Sequence, residues 1–451
     1  MQESDVAVIG AGIVGIAVVS YLKKAAPTLS VVLIDRDAPM SLTSAQSGEN
    51  YRNWWPHPVM KQFTDDSIDL MEEWARETDD AIQLTRRGYI LASRKANVEA
   101  LMAELLCGYG DDTKEIRVHD DAATPAYAAA ISAAWQDAPS GVDVLTGSEA
   151  ISQAFPWIDP EISTLVHIRR AGAVASQQLG QFMLELYRDH GGERLKGDVT
   201  AIDQAAGFVL SLDGGTTKLR AGQIVNAAGP FLNDIAAMVG VSLPVSNVLQ
   251  QKIAFEDTEG AISRQMPFVI DLDPQEIDWS GEERALLRDE PELKWLAEQM
   301  PGAIHCRPDG GDVGRWVKLG WAFNETETDA VLEPALLDHF PEIVLRGAAR
   351  LNPALKTYYG RLPRNRRHYG GFYTQTDENW PLIGPMGVAG TFVAGAMSGF
   401  GTMAACGTGA LTANWVLGNE LPEYAAALSP ARTADSELMA ALRAQNSRGM
   451  L

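Results

Sequence analysis

Gly10, Gly12 and Gly15, followed 20 residues later by Asp35, are the residues whose types and spacing point most directly to chemistry. Gly10 permits a tight turn, Gly12 lets backbone approach a pyrophosphate, and Gly15 lets a helix pack closely on a strand. Ile13 and Val14 fall in the first turn of that helix, whose free N–H groups and positive dipole end suit phosphates. Asp35, with Arg36 beside it, places a carboxylate where a ribose diol could be held. This is the pattern of a dinucleotide site. A glycine-rich turn in an ordinary α/β unit is the competing reading.

The elements around these residues agree with the first reading. Asp5–Ile9 reads as a strand, the run to Lys24 as a helix, and Val31–Ile34 as a second strand, giving a βαβ order. Ser41–Gly48 is small and polar, a loop. Helices are expected at Phe63–Glu77, Val98–Cys107, Ala122–Trp135 and Gln177–His190. Strands are expected at Gly88–Ser93, Asp198–Ile202, Phe208–Leu212 and Gln223–Asn226. In the irregular block Val245–Arg367, Ala285–Gln299 reads as a charged helix and Trp316–Trp321 alternates like a strand. Asp329–Leu351 reads as two helices or one broken at Pro341. A strand at Thr391–Ala394, a glycine turn and a helix from Thr402 to Leu417, capped by Gly418, close the chain.

Bulk properties narrow the function classes. The 451 residues allow two domains, and 46% hydrophobic content describes a globular protein. Mean hydropathy is −0.10. No run approaches the ~18 apolar residues of a membrane span. A net charge of −22 argues against nucleic acid as a partner and favours solubility as its meaning. Cys107, Cys306 and Cys406 are too few and scattered for a disulfide framework or a zinc site, so no metal is expected. The first strand begins within about five residues of Met1, leaving no room for a signal peptide, and a cytoplasmic location is expected.

Two later segments favour a flavin over a nicotinamide. Ile224-Val-Asn-Ala227-Ala228-Gly229-Pro230 is a strand ending in small residues that let backbone pass a flat, bulky cofactor. Trp380–Pro385 and then Gly395-Ala-Met-Ser-Gly399-Phe400-Gly401-Thr402 place a glycine turn at the start of the last helix. That helix end could hold negative charge on a reduced isoalloxazine.

On these pieces the chain resembles the FAD-dependent amine and amino-acid oxidoreductases of the D-amino-acid oxidase superfamily. It is most similar to the sarcosine oxidase, glycine oxidase and dimethylglycine dehydrogenase branch. The matched motifs are Gly10-x-Gly12-x-x-Gly15, Asp198-Val199 for adenine contact, Asn226–Pro230, Asp377-x-x-x-Pro381-x-Ile383-Gly384 and Ser398-Gly-x-Gly401. Asp35 stands where such flavoproteins usually carry Glu. The resemblance implies an α/β fold. A discontinuous Rossmann-type FAD domain would span 1–80, 145–245 and 368–451. An α+β substrate domain with an antiparallel sheet would span 81–144 and 246–367. It also implies FAD contacts from Ser44, Ser47 and Gly48 in the polar loop. Relatives link the flavin covalently through Cys at about Gly371 or through a His in the N-terminal loop, so non-covalent FAD is expected, with His57 the exception to watch.

Flavin oxidation of an amine needs few catalytic side chains, because a desolvated neutral amine placed against the ring can pass its α-hydride to N5. By resemblance, Lys318 in Trp316–Trp321 matches the lysine that lies against the flavin and promotes reaction with O₂. A surface lysine on a strand is the alternative. Arg52 is the candidate for a substrate carboxylate, or else it stacks on Trp54 or Trp55. Tyr358 and Tyr359 are candidates for an aromatic pocket wall, or ordinary packing. His57, between two prolines, is a structural residue or the base of an alcohol oxidation. Some relatives grip the carboxylate with Lys where this chain has Met403, which leaves Arg52 or Arg307 for that task. The basic cluster Arg361–Arg367 is a solvated strand edge or a guide for an anion or redox partner.

The favoured activity is oxidation of the C–N bond of a secondary amine or amino acid to an imine, with O₂ or an electron-transfer partner as acceptor. Oxidation of a 2-hydroxy acid or alcohol is the alternative enzyme. A non-catalytic flavin-binding subunit or assembly factor is the alternative of another class, prompted by His305–Gly310.

Overall fold

The computed structural model describes residues 1–110, 113–120, 127–130, 132–204 and 206–444. Its first sheet has eight strands and is built around Gln2–Ile9, which runs parallel to Val31–Asp35 on one side and Thr217–Asn226 on the other. Glu193–Lys196 extends the sheet beyond Val31–Asp35, and Thr391–Gly395 pairs in parallel with the end of Thr217–Asn226. Val6–Ile9 and Val31–Ile34 are unbroken apolar runs because helices or strands cover both faces of this sheet. Val199–Gln204 and Phe208–Leu212 fold back antiparallel at the far edge.

Two helices bury themselves against each other on this sheet. Ile13–Ala25 and Gly401–Leu417 carry almost no charge and are buried along most of their length. They approach closely because a Cβ at Gly409 would lie 2.7 Å from the Ala17 carbonyl carbon. Pro58–Glu77 packs on the outer side of Gly401–Leu417. Its Ser67 hydroxyl donates to the Met403 carbonyl (2.6 Å) and accepts from the Gly407 amide (3.0 Å), bridging one turn of that helix. Gly418 ends the helix in the left-handed region at φ 68°.

The second sheet has nine strands, ordered from Arg366–Gln375 through Ser246–Glu256, Trp316–Trp321, Ile304–Asp309 and Phe268–Asp271 to Tyr89–Ser93, Thr164–Ile168, Val142–Thr146 and Ile116–His119. Most neighbours are antiparallel. Alternation gives it two different faces. Ile253, Phe255, Cys306, Val317 and Leu319 pack under the helix Phe340–Ala349 in one core. Lys252, His305, Arg307 and Lys318 stand on the opposite face, towards the first sheet and its loops.

Several expectations need correction. Thr164–Ile168 and Arg366–Gln375 belong to the second sheet rather than to the cofactor domain, because their hydrogen-bond partners are strands of that sheet. Asp329–Leu351 holds one helix, Phe340–Ala349, since Pro341 starts a helix instead of breaking one. The charged segment forms a helix only over Gly281–Asp289, followed by a 3₁₀ turn at Lys294–Ala297. Ser280 and Glu283 make its capping box, and Pro291 follows its end. Of the Ala-rich helix expected at 122–135, residues 122–126 and 131 lie outside the described residues. The rest, 127–130 and 132–135, is irregular chain.

Asp143 locks the edge of the second sheet. It accepts from Arg117 (2.7 Å) and His119 (2.9 Å) and pairs with the buried Arg169. Burial raises its pKa, but the bonds from Arg117 and His119 and the charge of Arg169 outweigh this and hold it well below the usual carboxylate range. A depressed folded pKa adds stability that is present above the unfolded value and lost as pH falls. Asp143→Asn is therefore expected to cost about 3 kcal/mol at neutral pH, because it leaves Arg169 buried without its anion. In thermal melts the variant should also lose part of the wild type's steep decline below about pH 4.

Candidate active site

The carboxyl ends of the parallel strands meet at one cleft. A Cβ at Gly10 would lie 2.3 Å from the Ala227 carbonyl oxygen, and one at Gly15 would lie 1.8 Å from the Gly10 oxygen. Both positions demand glycine, and the turn passes hard against Ala227–Ala228 for that reason. Helices Ile13–Ala25 and Gly401–Leu417 both begin here, and neither has a side-chain N-cap from its own cap residue or an acid in its first turn. Their starts and positive dipole ends therefore face a shared space.

That space is two adjoining cavities. Gly10, Gly12, Asp35, Arg36, Val199, Ala228 and Phe231 are among the walls of the first, of about 470 Å³. Ile13, Val14, Ser47, Gly48, Gly395, Gly399, Gly401 and Thr402 are among the walls of the second, together with Lys252 and Tyr373. Gly12, Ser44, Ala227 and Gly229 border both. The expected cofactor-binding residues thus converge on one elongated cleft. Phe400 and Gly15 lie behind it, the first as N-cap of helix Gly401–Leu417 and edge-on to Trp55, the second as the packing glycine.

Individual polar groups have specific tasks. Ser44 Oγ accepts from the Ile13 amide (3.0 Å), and Ser47 Oγ lies 2.8 Å from Thr402 Oγ1, tying the polar loop to both helix starts. Asp35 accepts from the Ala11 amide (2.6 Å) and the Asp37 amide (2.8 Å), so it braces the glycine turn as well as lining the cleft. Arg36 pairs with Asp198 (3.2 Å) and lies over the Phe231 ring.

The glycine cradle, the uncapped helix starts and the length of the cleft fit a dinucleotide with a flat ring system at the far end. The DAO family, described as FAD dependent oxidoreductase, matches over residues 5–415. The chain belongs to this family. No curated protein matches it. Among solved structures it is similar to glycine oxidase from Geobacillus kaustophilus, at 18% identity, 95% of this chain, 98% of that one and a TM-score of 0.69. It is similar to L-proline dehydrogenase from P. horikoshii at 17% identity, covering 96% and 98%, with a TM-score of 0.72. It is also similar to L-α-glycerophosphate oxidase from Mycoplasma pneumoniae, whose structure holds FAD, at 13% identity, covering 94% and 98%, with a TM-score of 0.66. These likenesses establish the fold. The protein is an FAD-dependent oxidoreductase, and none of its described helices is long and apolar enough to cross a membrane.

The expected catalytic residues do not gather in one place. Lys318 Nζ binds Glu49 (2.6 Å) and Asp309 (3.4 Å) and lines a separate cavity of about 860 Å³, which shares Met40, Ser41, Gln46 and Ser47 with the two parts of the cofactor cleft. Burial and the charge of Arg307 lower its pKa, and the two carboxylates oppose that shift. Arg52 is fully buried among the rings of Trp54, Trp55 and Tyr89, with centroids 5.7, 5.6 and 5.0 Å away. The stacking alternative describes that placement.

His57 caps helix Pro58–Glu77 through Nδ1, which accepts from the Val59 amide (3.2 Å), and burial lowers its pKa. Tyr358 sits in the core beneath the far face of the second sheet, its hydroxyl donating to Asp257; burial pushes its pKa up to about 12. Tyr359 meets Asp278. Neither tyrosine lines the cofactor cleft, because their segment is a 3₁₀ turn after Phe340–Ala349 and not a strand. Met403 is core, and Arg361, Arg364, Arg366 and Arg367 are exposed.

Sequence reasoning missed Lys252. Its signal was present: Gln250-Gln-Lys252-Ile-Ala-Phe255 alternates, so Lys252 faces away from the core that holds Ile253 and Phe255.

Gly12 offers a test of the cleft. An added Cβ would meet only the rotatable Ser44 hydroxyl, at 3.1 Å, and the backbone there is extended at φ −71°. Gly12→Ala should fold normally and raise the FAD dissociation constant about 10-fold or more, measured by quenching of flavin fluorescence. Gly15→Ala, driven into backbone, should instead lower the melting temperature of the apoprotein.

Proposed function

We propose that this protein oxidises the C–N bond of a secondary amine or amino acid to an imine, which water then hydrolyses, with O₂ as electron acceptor. The observation that carries this reading is the cleft itself, which has the glycine turn and helix starts at one end and a chamber walled by glycines, Phe372, Tyr373 and Lys252 at the other. Bound FAD supplies the two-electron acceptor. The chain's part is to exclude water, orient the substrate and place charge, which suffices for an amine once desolvated. Glycine oxidase and L-proline dehydrogenase, both similar in fold, act on amino acids by name.

An alcohol substrate, as in the glycerophosphate oxidase, would call for a base beside the hydroxyl. His57 is committed to its helix cap and edge-on contact with Trp380, which favours the amine. Absence of a cysteine at Gly371 supports non-covalent FAD, and three free thiols suit a reducing compartment. We assign the O₂ step to Lys318, which lines a cavity that adjoins the cofactor cleft at Gln46 and Ser47.

An anaerobic visible spectrum of the purified protein tests this proposal. Amines or amino acids should bleach the oxidised flavin band, and air should restore it. Lys318→Met should slow the restoration about 100-fold. Bleaching by 2-hydroxy acids alone would overturn the proposal in favour of alcohol oxidation. A flavin band that no substrate bleaches would favour a binding role.

A further inference from the structure

Three cationic side chains and a histidine line the cofactor-facing side of the second sheet, and they differ in how their charge is balanced. Arg307 donates to the Gly48 carbonyl (3.1 Å) and pairs with Asp309 (3.0 Å) and Glu49 (3.4 Å). Lys318 pairs with the same two carboxylates. Two cations thus face two anions, and that set is closed. Lys252 is different. It is 6% exposed, and its single polar partner among the described residues is the Tyr373 hydroxyl at 3.2 Å.

A hydroxyl brings no charge to balance an ammonium, and a buried ion without a counter-ion is costly. Its histidine neighbour cannot help. Burial, and then the charge of Lys252, pull His305 down to about 3, so its ring is neutral. His305 lies where Gly320, opposite Lys252 across the strands, leaves room for its ring. Lys252 lines the second cavity of the cleft together with Gly48 and Tyr373.

Oxidised FAD would not supply the missing anion: its pyrophosphate would be held at the glycine turn and helix starts, its isoalloxazine is uncharged, and the charge that arises on reduction would meet the start of helix Gly401–Leu417. We propose that Lys252, assisted by the Tyr373 hydroxyl, anchors a carboxylate of the substrate. The substrate is then an amino acid, N-substituted or not, rather than a simple amine. This inference rests on the amine-oxidation reading above and adds the group that selects the substrate. A lysine ammonium donates up to three hydrogen bonds, and with one given to Tyr373 two remain for a carboxylate.

The test uses the FAD-loaded protein and probes that cannot be oxidised: benzoate and pyrrole-2-carboxylate against benzamide and pyrrole-2-carboxamide. The carboxylates should shift the visible flavin band of the wild type, and the carboxamides should not. Lys252→Met should weaken carboxylate binding about 10- to 100-fold, and Lys252→Arg should recover most of it. Retained FAD stoichiometry in each variant separates this effect from loss of the fold. If Lys252→Met releases FAD, Tyr373→Phe carries the test, with a few-fold weakening expected.

Carboxylate binding unchanged in these variants would overturn the inference. So would carboxamides that bind as well as carboxylates, or a wild-type spectrum that no carboxylate perturbs. Equal bleaching rates for amines with and without a carboxylate would leave amine oxidation standing and remove Lys252 from it. Failure of every amine to bleach the flavin would remove both.

Discussion

The close approach of two apolar helices is the constraint on which the rest of this structure depends. Ile13–Ala25 and Gly401–Leu417 lie nearly 400 residues apart in sequence, yet Ala17 and Gly409 meet with no room for a further methyl. Their packing brings two helix starts to one side of the first sheet. Each start alone is a common feature. Two of them, both without acidic residues, produce a concentrated positive end that favours an anion. Ser44 and Ser47 satisfy part of this demand from the polar loop, and the phosphates and ring of FAD would satisfy the remainder. Ser67 inserted between Met403 and Gly407 keeps the second helix on the same line.

The first sheet was legible because its signals are local. Gly10, Gly12 and Gly15 lie within one turn of each other, and Asn226–Pro230 and Gly395–Thr402 are likewise continuous. Each segment carries its own reason for being small, and the family adds their order. Asp35 shows the limit even there. Its place in the cleft follows from spacing, but its bond to the Ala11 amide depends on how the turn closes.

The second sheet was less legible because its chemistry depends on register between distant strands. Lys252, Gly320 and Tyr369 are neighbours only once Ser246–Glu256 pairs with Trp316–Trp321 and Arg366–Gln375. Nothing near Lys252 in sequence announces that its neighbours will be a glycine and a phenol. Arg52 and His57 misled in the opposite way. Both stand in a run rich in aromatics and prolines beside the cofactor loop, and both are turned inward, one among three rings and the other onto a helix start. Tyr358 misled through its element, since a 3₁₀ turn carries it into the core instead of along a strand to the cleft.

Glu49 explains how the two sheets are held to a common site. It is a non-glycine residue at φ 60°, a conformation that costs about 1 kcal/mol or more and persists where its surroundings over-determine it. The surroundings here are explicit. One carboxylate oxygen accepts from the Ser176 amide (3.1 Å) and hydroxyl (3.0 Å) at the start of helix Ser176–Asp189, and the other accepts from Lys318 and Arg307 of the second sheet. The residue just before it, Gly48, gives its carbonyl to Arg307 and lines the cofactor cleft. The strained turn is therefore the joint between the two sheets, and its ion pairs fix the height of the polar loop relative to the charged sheet face. That assignment also accounts for the contrast among the cations. Arg307 and Lys318 are paired with carboxylates because they hold the joint, whereas Lys252, one strand over from Lys318, holds only the Tyr373 hydroxyl and is left to meet a charged ligand.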